Sequence, residues 1–175
     1  MAGRKNKHAY LDDFEKDLNG NYQYRGALYR YAGTPSRGRA LAVLWLCCGG
    51  GAALAVGAGV LPGATAHAPV WLLLPYMAAL ITALYAVVVL ARLTRGGDPM
   101  RAYIHEQTAQ KLPTLTRVCA LFAVLAAAGQ GSVVFANSAQ MLFGVHGIFI
   151  LLEFFSAAAF AAAAAFSRRM RWEKE

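Results

Sequence analysis

One carboxylate lies inside a stretch of sequence that is otherwise almost entirely apolar. Glu153 sits in the middle of GVHGIFILLEFFSAAAF, which begins at Gly144. An acidic residue at the centre of a bilayer costs on the order of 2.5–3.5 kcal/mol on insertion scales, so it should face protein or water rather than lipid. Acids in this position are by default candidates for binding protons or cations. Glu153 is therefore the first residue in this chain whose type and position predict chemistry.

Two further polar residues are candidate neighbours of Glu153. His146 lies on the same helical face, but about 10.5 Å away along the axis at 1.5 Å per residue. Contact between them would need a water molecule or a side chain from another helix. Gln130 belongs to the preceding apolar segment and can hydrogen-bond to Glu153 if the two segments form a tight antiparallel hairpin. The sequence therefore predicts an intramembrane polar site made of Glu153, His146 and Gln130.

Two interpretations of Glu153 are open. In the structural one, burial disfavours the charged form, so the carboxyl is protonated and hydrogen-bonds across helices at about 0.6 kcal/mol. In the functional one, the carboxyl takes up a proton or cation and releases it during transport. A lone acid without a partner charge does not decide between them.

The rest of the sequence shows no catalytic or metal-binding pattern. The pair His105-Glu106 is not followed by a second histidine at the spacing of a zinc-binding helix. The cysteines Cys47, Cys48 and Cys119 form no C-x-x-C motif. We therefore expect a protein that is not an enzyme and that carries no cofactor and no metal.

The elements that must position Glu153 are four apolar blocks. The 175 residues are 58% hydrophobic and 15% charged, whereas about a quarter of residues are charged in ordinary soluble domains. Each block has about twenty residues, the length that a helix needs to cross about 30 Å of hydrocarbon. Helices are required there because lipid offers the backbone no hydrogen-bond partners. The predicted fold is an all-α integral membrane four-helix bundle, with helices over residues 40–61, 70–91, 118–136 and 142–166.

The positive charges predict the orientation of these helices. The net charge is +8, and all 17 Lys and Arg lie before residue 40, in the loop 92–117, or after Phe166. Positive residues are retained on the cytoplasmic side, so both termini and this loop should face the cytoplasm of a cell whose plasma membrane holds the chain. The charge is thus explained without nucleic acid. Anionic lipid headgroups are expected at Arg37, Arg39, Arg92, Arg95, Arg168, Arg169 and Arg171.

Three regions follow from this topology: a cytoplasmic segment over residues 1–38, a four-span domain over 39–167 and a basic tail over 168–175. Residues 8–20 predict a short amphipathic helix that ends at Asn19-Gly20. In the loop 92–117, one or two helical turns are expected between Asp98 and Lys111, with Asp98 as the N-cap and Pro99 at the first position.

Four tyrosines alternate along the N-terminal segment. This period of two around Gly26 predicts two short extended pieces joined by a turn. The aromatic rings are interpreted either as an anchor near the headgroups or as a docking surface for a cytoplasmic partner. The residues concerned are Tyr22, Tyr24, Tyr29 and Tyr31.

Small residues recur at four-residue spacing in the first predicted helix, which lets helix backbones approach closely. The two rows are Gly49, Ala53 and Gly57, and Gly51, Ala55 and Gly59. Together with the tyrosines, they favour a non-enzymatic membrane component, or an accessory or regulatory subunit that packs against a membrane-protein partner or a second copy of itself. The alternative is a small proton- or cation-coupled transporter that uses Glu153.

Overall fold

The structure is a computed structural model of the chain, and it describes residues 14–16, 22–62, 68–137 and 144–175. Within these ranges, four helices are long and apolar enough to cross a membrane, which confirms the four predicted helices. In chain order the elements are β1 (Phe14–Lys16), β2 (Tyr22–Tyr24), β3 (Leu28–Tyr31), α1 (Arg37–Val60), α2 (Val70–Arg95), β4 (Met100–Arg101), α3 (Ala102–Gln107), α4 (Leu112–Asn137), α5 (Val145–Ser167) and β5 (Trp172–Lys174).

The four long helices extend past several ends of the apolar blocks. α1 begins at Arg37, α2 continues to Arg95, and α4 begins at Leu112, whereas the blocks themselves lie at 40–61, 70–91 and 118–136. Polar residues at these ends do not interrupt a helix, because its backbone hydrogen bonds are made within the helix. Turn residues end it instead: Gly97 has a φ of 71° just after α2, a conformation that glycine adopts without strain.

Small residues let the long helices pack closely. α5 packs against both α1 and α4, and α2 packs against α4 and α1. A Cβ added at Gly51 would lie 2.9 Å from the ring of Phe160 on α5, and one added at Gly59 would collide with the hydroxyl of Tyr76 on α2. The row that contains Gly51 and Gly59 thus packs against other helices of the same chain.

The outer faces of the long helices are apolar. Large hydrophobic side chains are exposed on each of these helices. Soluble monomeric proteins rarely expose apolar surface of this extent. Among the most exposed are Leu46, Val60, Leu74, Ile81, Phe135 and Phe154.

One end of the long helices carries a small cap. β3 lies between β4 and β5 in a three-stranded antiparallel sheet, with Leu28 opposite Arg101 and Tyr31 opposite Trp172. This sheet joins the N-terminal segment, the loop after α2 and the C-terminal tail. We call this sheet together with α3 the cap, its end of the helices the cap end, and the opposite end, with Val60 and Val145, the far end.

The N-terminal amphipathic helix was predicted wrongly where the structure can test it. Residues 14–16 form the strand β1, which pairs antiparallel with β2, Phe14 opposite Tyr24. The remainder of 8–20 lies outside the described residues. A short isolated helix is marginal in water, whereas strand pairing satisfies the backbone groups of both segments. The two extended pieces predicted around Gly26 are confirmed as β2 and β3, which pair with different partners.

The predicted start of the loop helix was also wrong. α3 begins at Ala102 rather than at Pro99, because Met100 and Arg101 are paired with β3 as a strand. Asp98 therefore does not cap a helix. Its Oδ1 accepts a hydrogen bond from the backbone N–H of Tyr31 at 3.4 Å and so ties the loop to the sheet.

Candidate functional site

Glu153 lies on α5, eight residues beyond Val145, which is about 12 Å along the axis at 1.5 Å per residue. Its side chain is 0% exposed. Neither carboxyl oxygen has a hydrogen-bond partner among the described residues. A buried polar group without a partner is uncommon in native proteins and destabilising. The sequence placed Glu153 in the interior correctly, and the structure adds that neither of its oxygens is bonded within the described ranges.

Two buried hydroxyl groups, on α5 and on α2, are bonded to backbone oxygens of α1. The Ser156 hydroxyl, one turn nearer the cap end, donates to the backbone oxygen of Gly51 at 2.9 Å. On α2, the Tyr76 hydroxyl donates to the backbone oxygen of Ala55 at 3.1 Å. The Tyr76 ring lies 5.4 Å, centroid to centroid, from the ring of Phe149, which is one turn from Glu153 on α5. Sequence reasoning missed Tyr76 as a site residue, although a tyrosine inside an apolar block carries a hydroxyl that needs a partner.

Gln130 pairs with His146 instead of Glu153. The Gln130 amide nitrogen donates to Nδ1 of His146, and Gln130 is 0% exposed. The predicted Glu153–Gln130 hydrogen bond is therefore wrong. α4 and α5 run antiparallel, so moving seven residues along α5 from His146 to Glu153 corresponds to moving back along α4 to the neighbourhood of Ala123. An alanine there offers the carboxyl no polar group.

Of the three predicted site residues, the structure joins two and separates the third. His146 and Gln130 form one pair near the far end, and the Gln130 Oε1 has no partner within the described part of the chain. Glu153 lies about 10.5 Å from His146 along α5, with Phe149 between them on that helix, itself fully buried. The three predicted residues therefore form two separate polar groups, the Gln130–His146 pair and Glu153.

The cap holds a second buried ionisable side chain, His105. Its ring stacks on Tyr29, with centroids 4.3 Å apart and an interplanar angle of 7°, and it meets the Trp172 ring edge-on at 5.3 Å. His105 is 6% exposed, and its Nδ1 has no partner among the described residues. Burial lowers the pKa of His105, with an opposing contribution from Glu106. The imidazole is therefore neutral at neutral pH and acts as part of an aromatic core.

Of the predicted docking tyrosines, Tyr29 and Tyr31 belong to the cap, and Tyr24 contacts it from β2. Tyr31 meets Trp172 edge-on at 5.3 Å, and the Tyr24 hydroxyl donates to the backbone oxygen of Ala27 at 3.2 Å while accepting from the backbone N–H of Ala102. The Tyr22 side chain lies outside the described residues. These contacts give Tyr24, Tyr29 and Tyr31 a structural role, and docking of a partner at the four tyrosines stays a prediction.

The described residues include no group of three or more His, Cys, Asp or Glu that could hold a metal ion. No family model, no curated protein and no solved structure matches this chain. A buried, unpartnered carboxyl can hold a proton as a neutral acid and can release it when water reaches it.

Proposed function

We propose that this chain is a multi-pass protein of the cell membrane in which α1, α2, α4 and α5 cross the bilayer as a four-helix bundle. The apolar outer faces of these helices support this arrangement. In this proposal the cap and both termini are cytoplasmic. The orientation is supported by the position of the arginines, since Arg37, Arg95 and Arg168 all flank the cap end.

Within this membrane protein, Glu153 is the functional group, and the protein is a small proton-coupled transporter. The observation that carries the proposal is that Glu153 is fully buried while both of its carboxyl oxygens lack a partner among the described residues. A carboxyl kept for structure should be hydrogen-bonded, because an unpartnered one destabilises the folded state. Here the Ser156 hydroxyl bonds to Gly51 and the Gln130 amide nitrogen bonds to His146, so neither reaches Glu153.

A proton is a better ligand for this site than a metal cation. Cations such as Na⁺ or Ca²⁺ need several oxygen ligands, and Ca²⁺ takes six to eight. Around Glu153 the buried neighbours on α5 are Phe149, Ser156 and Ala157. Among them only Ser156 carries a side-chain oxygen, and its hydroxyl is bonded to Gly51. One carboxyl in an apolar setting favours its neutral, protonated form. The proton then leaves when helix movement admits water.

Infrared difference spectroscopy of the protein in liposomes tests this directly. The wild-type protein should show a band from a protonated carboxyl group that disappears reversibly as the pH rises, and Glu153→Gln should lack it. Glu173→Gln is the matched control, because Glu173 is an exposed glutamate in β5, and it should retain the band. A wild-type band that persists at every pH at which the protein stays folded would mean a permanently protonated, structural carboxyl and would refute the proposal.

A second candidate is an accessory or regulatory subunit, and one observation favours it. Of the two small-residue rows on α1, the one that contains Gly51 packs against other helices of the same chain, whereas Ala53 of the other row is exposed. A partner helix or a second copy can approach closely at such a face. Ala53→Leu should then reduce co-purification or oligomerisation while leaving the Glu153 band intact. If assembly is unchanged, this candidate loses its support.

A further inference from the structure

A pocket lies at the cap end, between the last turn of α2 and the helix α3. Its volume is about 320 Å³. α2 contributes two arginines to its wall, and α3 with the residue after it contributes polar and apolar side chains. The lining includes Arg92, Arg95, Tyr103, Ile104, Gln107 and Thr108.

The turn after α2 brings the two walls together. A Cβ added at Gly96 would lie 3.2 Å from the Ile104 Cγ2 and 3.3 Å from the Met100 sulfur, so glycine permits this close approach. Gly97 then reverses the chain with its positive φ of 71°. Met100 is fully buried and anchors the start of the cap. The pocket is therefore a built feature of the fold, held by packing on both sides.

The described lining of the pocket carries two positive charges and no acidic side chain. Arg92 and Arg95 are three residues apart, so they share one face of α2. Both side chains are exposed, and neither forms a salt bridge with a described carboxylate. Guanidinium groups bind phosphate through paired hydrogen bonds in a fixed geometry. Gln107 adds an amide, and Ile104 adds an apolar surface beside it.

The position of the pocket selects the source of the phosphate. Arg92 and Arg95 belong to the last turn of a helix that is long and apolar enough to cross a membrane. At the same level, the Trp45 indole N–H donates to the Thr94 hydroxyl at 3.1 Å. Trp and Arg together mark the headgroup level of a bilayer, and basic pockets between helices on the cytoplasmic side bind anionic headgroups.

We propose that this pocket binds the headgroup of an anionic phospholipid, with the phosphate on Arg92 and Arg95 and the glycerol region against Ile104. The inference rests on α2 crossing the membrane, as proposed above, and does not depend on the chemistry of Glu153. Binding here clamps the cap to the end of α2 and so couples the lipid composition to the stability of the cap.

The test measures the melting temperature of the full-length protein in a neutral detergent with added phosphatidylglycerol or phosphatidylcholine. Phosphatidylglycerol should raise the melting temperature of the wild type above the value in phosphatidylcholine. Arg92→Gln/Arg95→Gln should lose this difference and should bind phosphatidylglycerol about thirtyfold more weakly, at about tenfold per 1.4 kcal/mol and about 1 kcal/mol per arginine. Arg169→Gln/Arg171→Gln removes the same charge from exposed positions at the same end and should retain the difference.

Two further arms make the outcome decisive. Gln107→Phe fills the pocket while keeping both arginines, so it should also abolish the lipid effect. Inorganic phosphate added alone should not raise the melting temperature. Equal losses in both double-arginine variants would mean unspecific surface charge, and stabilisation by phosphate alone would mean a free-anion site; either result overturns the proposal. Glu153→Gln should keep the full lipid effect, so the two proposals fail separately.

Discussion

Glu153 in the helical interior and His105 in the cap are both buried ionisable residues with a polar atom that lacks a described partner. They differ in what surrounds them. His105 lies against the aromatic rings of Tyr29 and Trp172, whereas the buried neighbours of Glu153 on α5 are Phe149, Ser156 and Ala157. An imidazole is uncharged when it has lost its proton, whereas a carboxyl group is uncharged only when it has taken one up.

This difference underlies the proposal that His105 is a structural group and Glu153 a functional one. Packing between aromatic faces offsets part of the cost of burying His105, since aromatic pairs contribute about 0.5–1.5 kcal/mol beyond their area. Nothing comparable compensates Glu153 within the described residues. An unpartnered buried carboxyl is expected to destabilise the fold, and the proposed proton-binding role would account for its presence. Four substitutions test this comparison, from the largest expected effect to the smallest.

Gly59→Leu tests whether the helices around Glu153 are closely packed. A side chain at this position would collide with the Tyr76 hydroxyl and break its hydrogen bond to Ala55. Overpacking and the orphaned hydroxyl together should lower the free energy of unfolding by about 3 kcal/mol. Thermal unfolding of the purified protein in detergent measures this.

The matched control for Gly59→Leu is Gly50→Ala on the same helix. A Cβ at Gly50 meets nothing within 4 Å, so the change should be neutral or stabilising by up to about 1 kcal/mol from helix propensity. If Gly59→Leu unfolds at the temperature of the control, α1 and α2 are not in contact near Tyr76, and the burial argued for Glu153 loses its basis.

Glu153→Leu addresses the comparison itself. If the carboxyl makes no hydrogen bond, replacing it with an apolar side chain should raise the free energy of unfolding by about 2 kcal/mol. Ser156→Ala is the control, because its hydroxyl does bond to Gly51, and its loss should cost about 0.6 kcal/mol. Destabilisation by Glu153→Leu would show that the acid is structural after all. Both values come from unfolding equilibria in the same detergent.

The sequence predicted the helices well and their mutual arrangement poorly. Hydropathy is a local property, so α1, α2, α4 and α5 were found from their own residues. The sheet of the cap pairs Tyr31 with Trp172 from opposite ends of the chain, and no local pattern specifies such a pairing. This is why β4 and β5 were not predicted.

The same limit explains the outcome at the candidate site. That Glu153 is buried follows from its own apolar segment. Its neighbours depend on how α4 and α5 are aligned, and each residue of error in that alignment shifts a side chain by 1.5 Å along and about 100° around the helix. An uncertainty of a few residues in the predicted helix ends was enough to exchange Gln130 between Glu153 and His146.

His105→Phe tests the structural half of the comparison through pH. Because burial lowers the folded-state pKa of His105 from its ordinary value of 6.5, the unfolded chain binds a proton more readily. The contribution of neutral His105 to the free energy of unfolding is therefore fully present above that ordinary pKa. It decreases as the pH drops below it, by at most about 1.4 kcal/mol per pH unit. Phenylalanine keeps the ring stacking and should remove this component.

The measurement is the free energy of unfolding of wild type and His105→Phe across this acidic range. Their difference isolates the histidine, because the carboxylates of the chain titrate in both proteins. Identical pH profiles would mean that His105 is not buried in the cap, and its contrast with Glu153 would then disappear.

Glu175→Gln has the smallest expected effect and shows what kind of contact holds the cap together. The Arg30–Glu175 ion pair spans 2.9 Å, but its side chains are 59% and 41% exposed. Exposed pairs contribute between zero and about 1 kcal/mol. The free energy of unfolding of the variant should therefore lie within about 0.5 kcal/mol of the wild-type value at low salt and should equal it at high salt. Trp172→Ala removes the aromatic contacts to both His105 and Tyr31 and should cost several times more. A larger loss from Glu175→Gln than from Trp172→Ala would mean that charge, rather than aromatic packing, keeps His105 buried, and the cap would then resemble the uncompensated interior around Glu153.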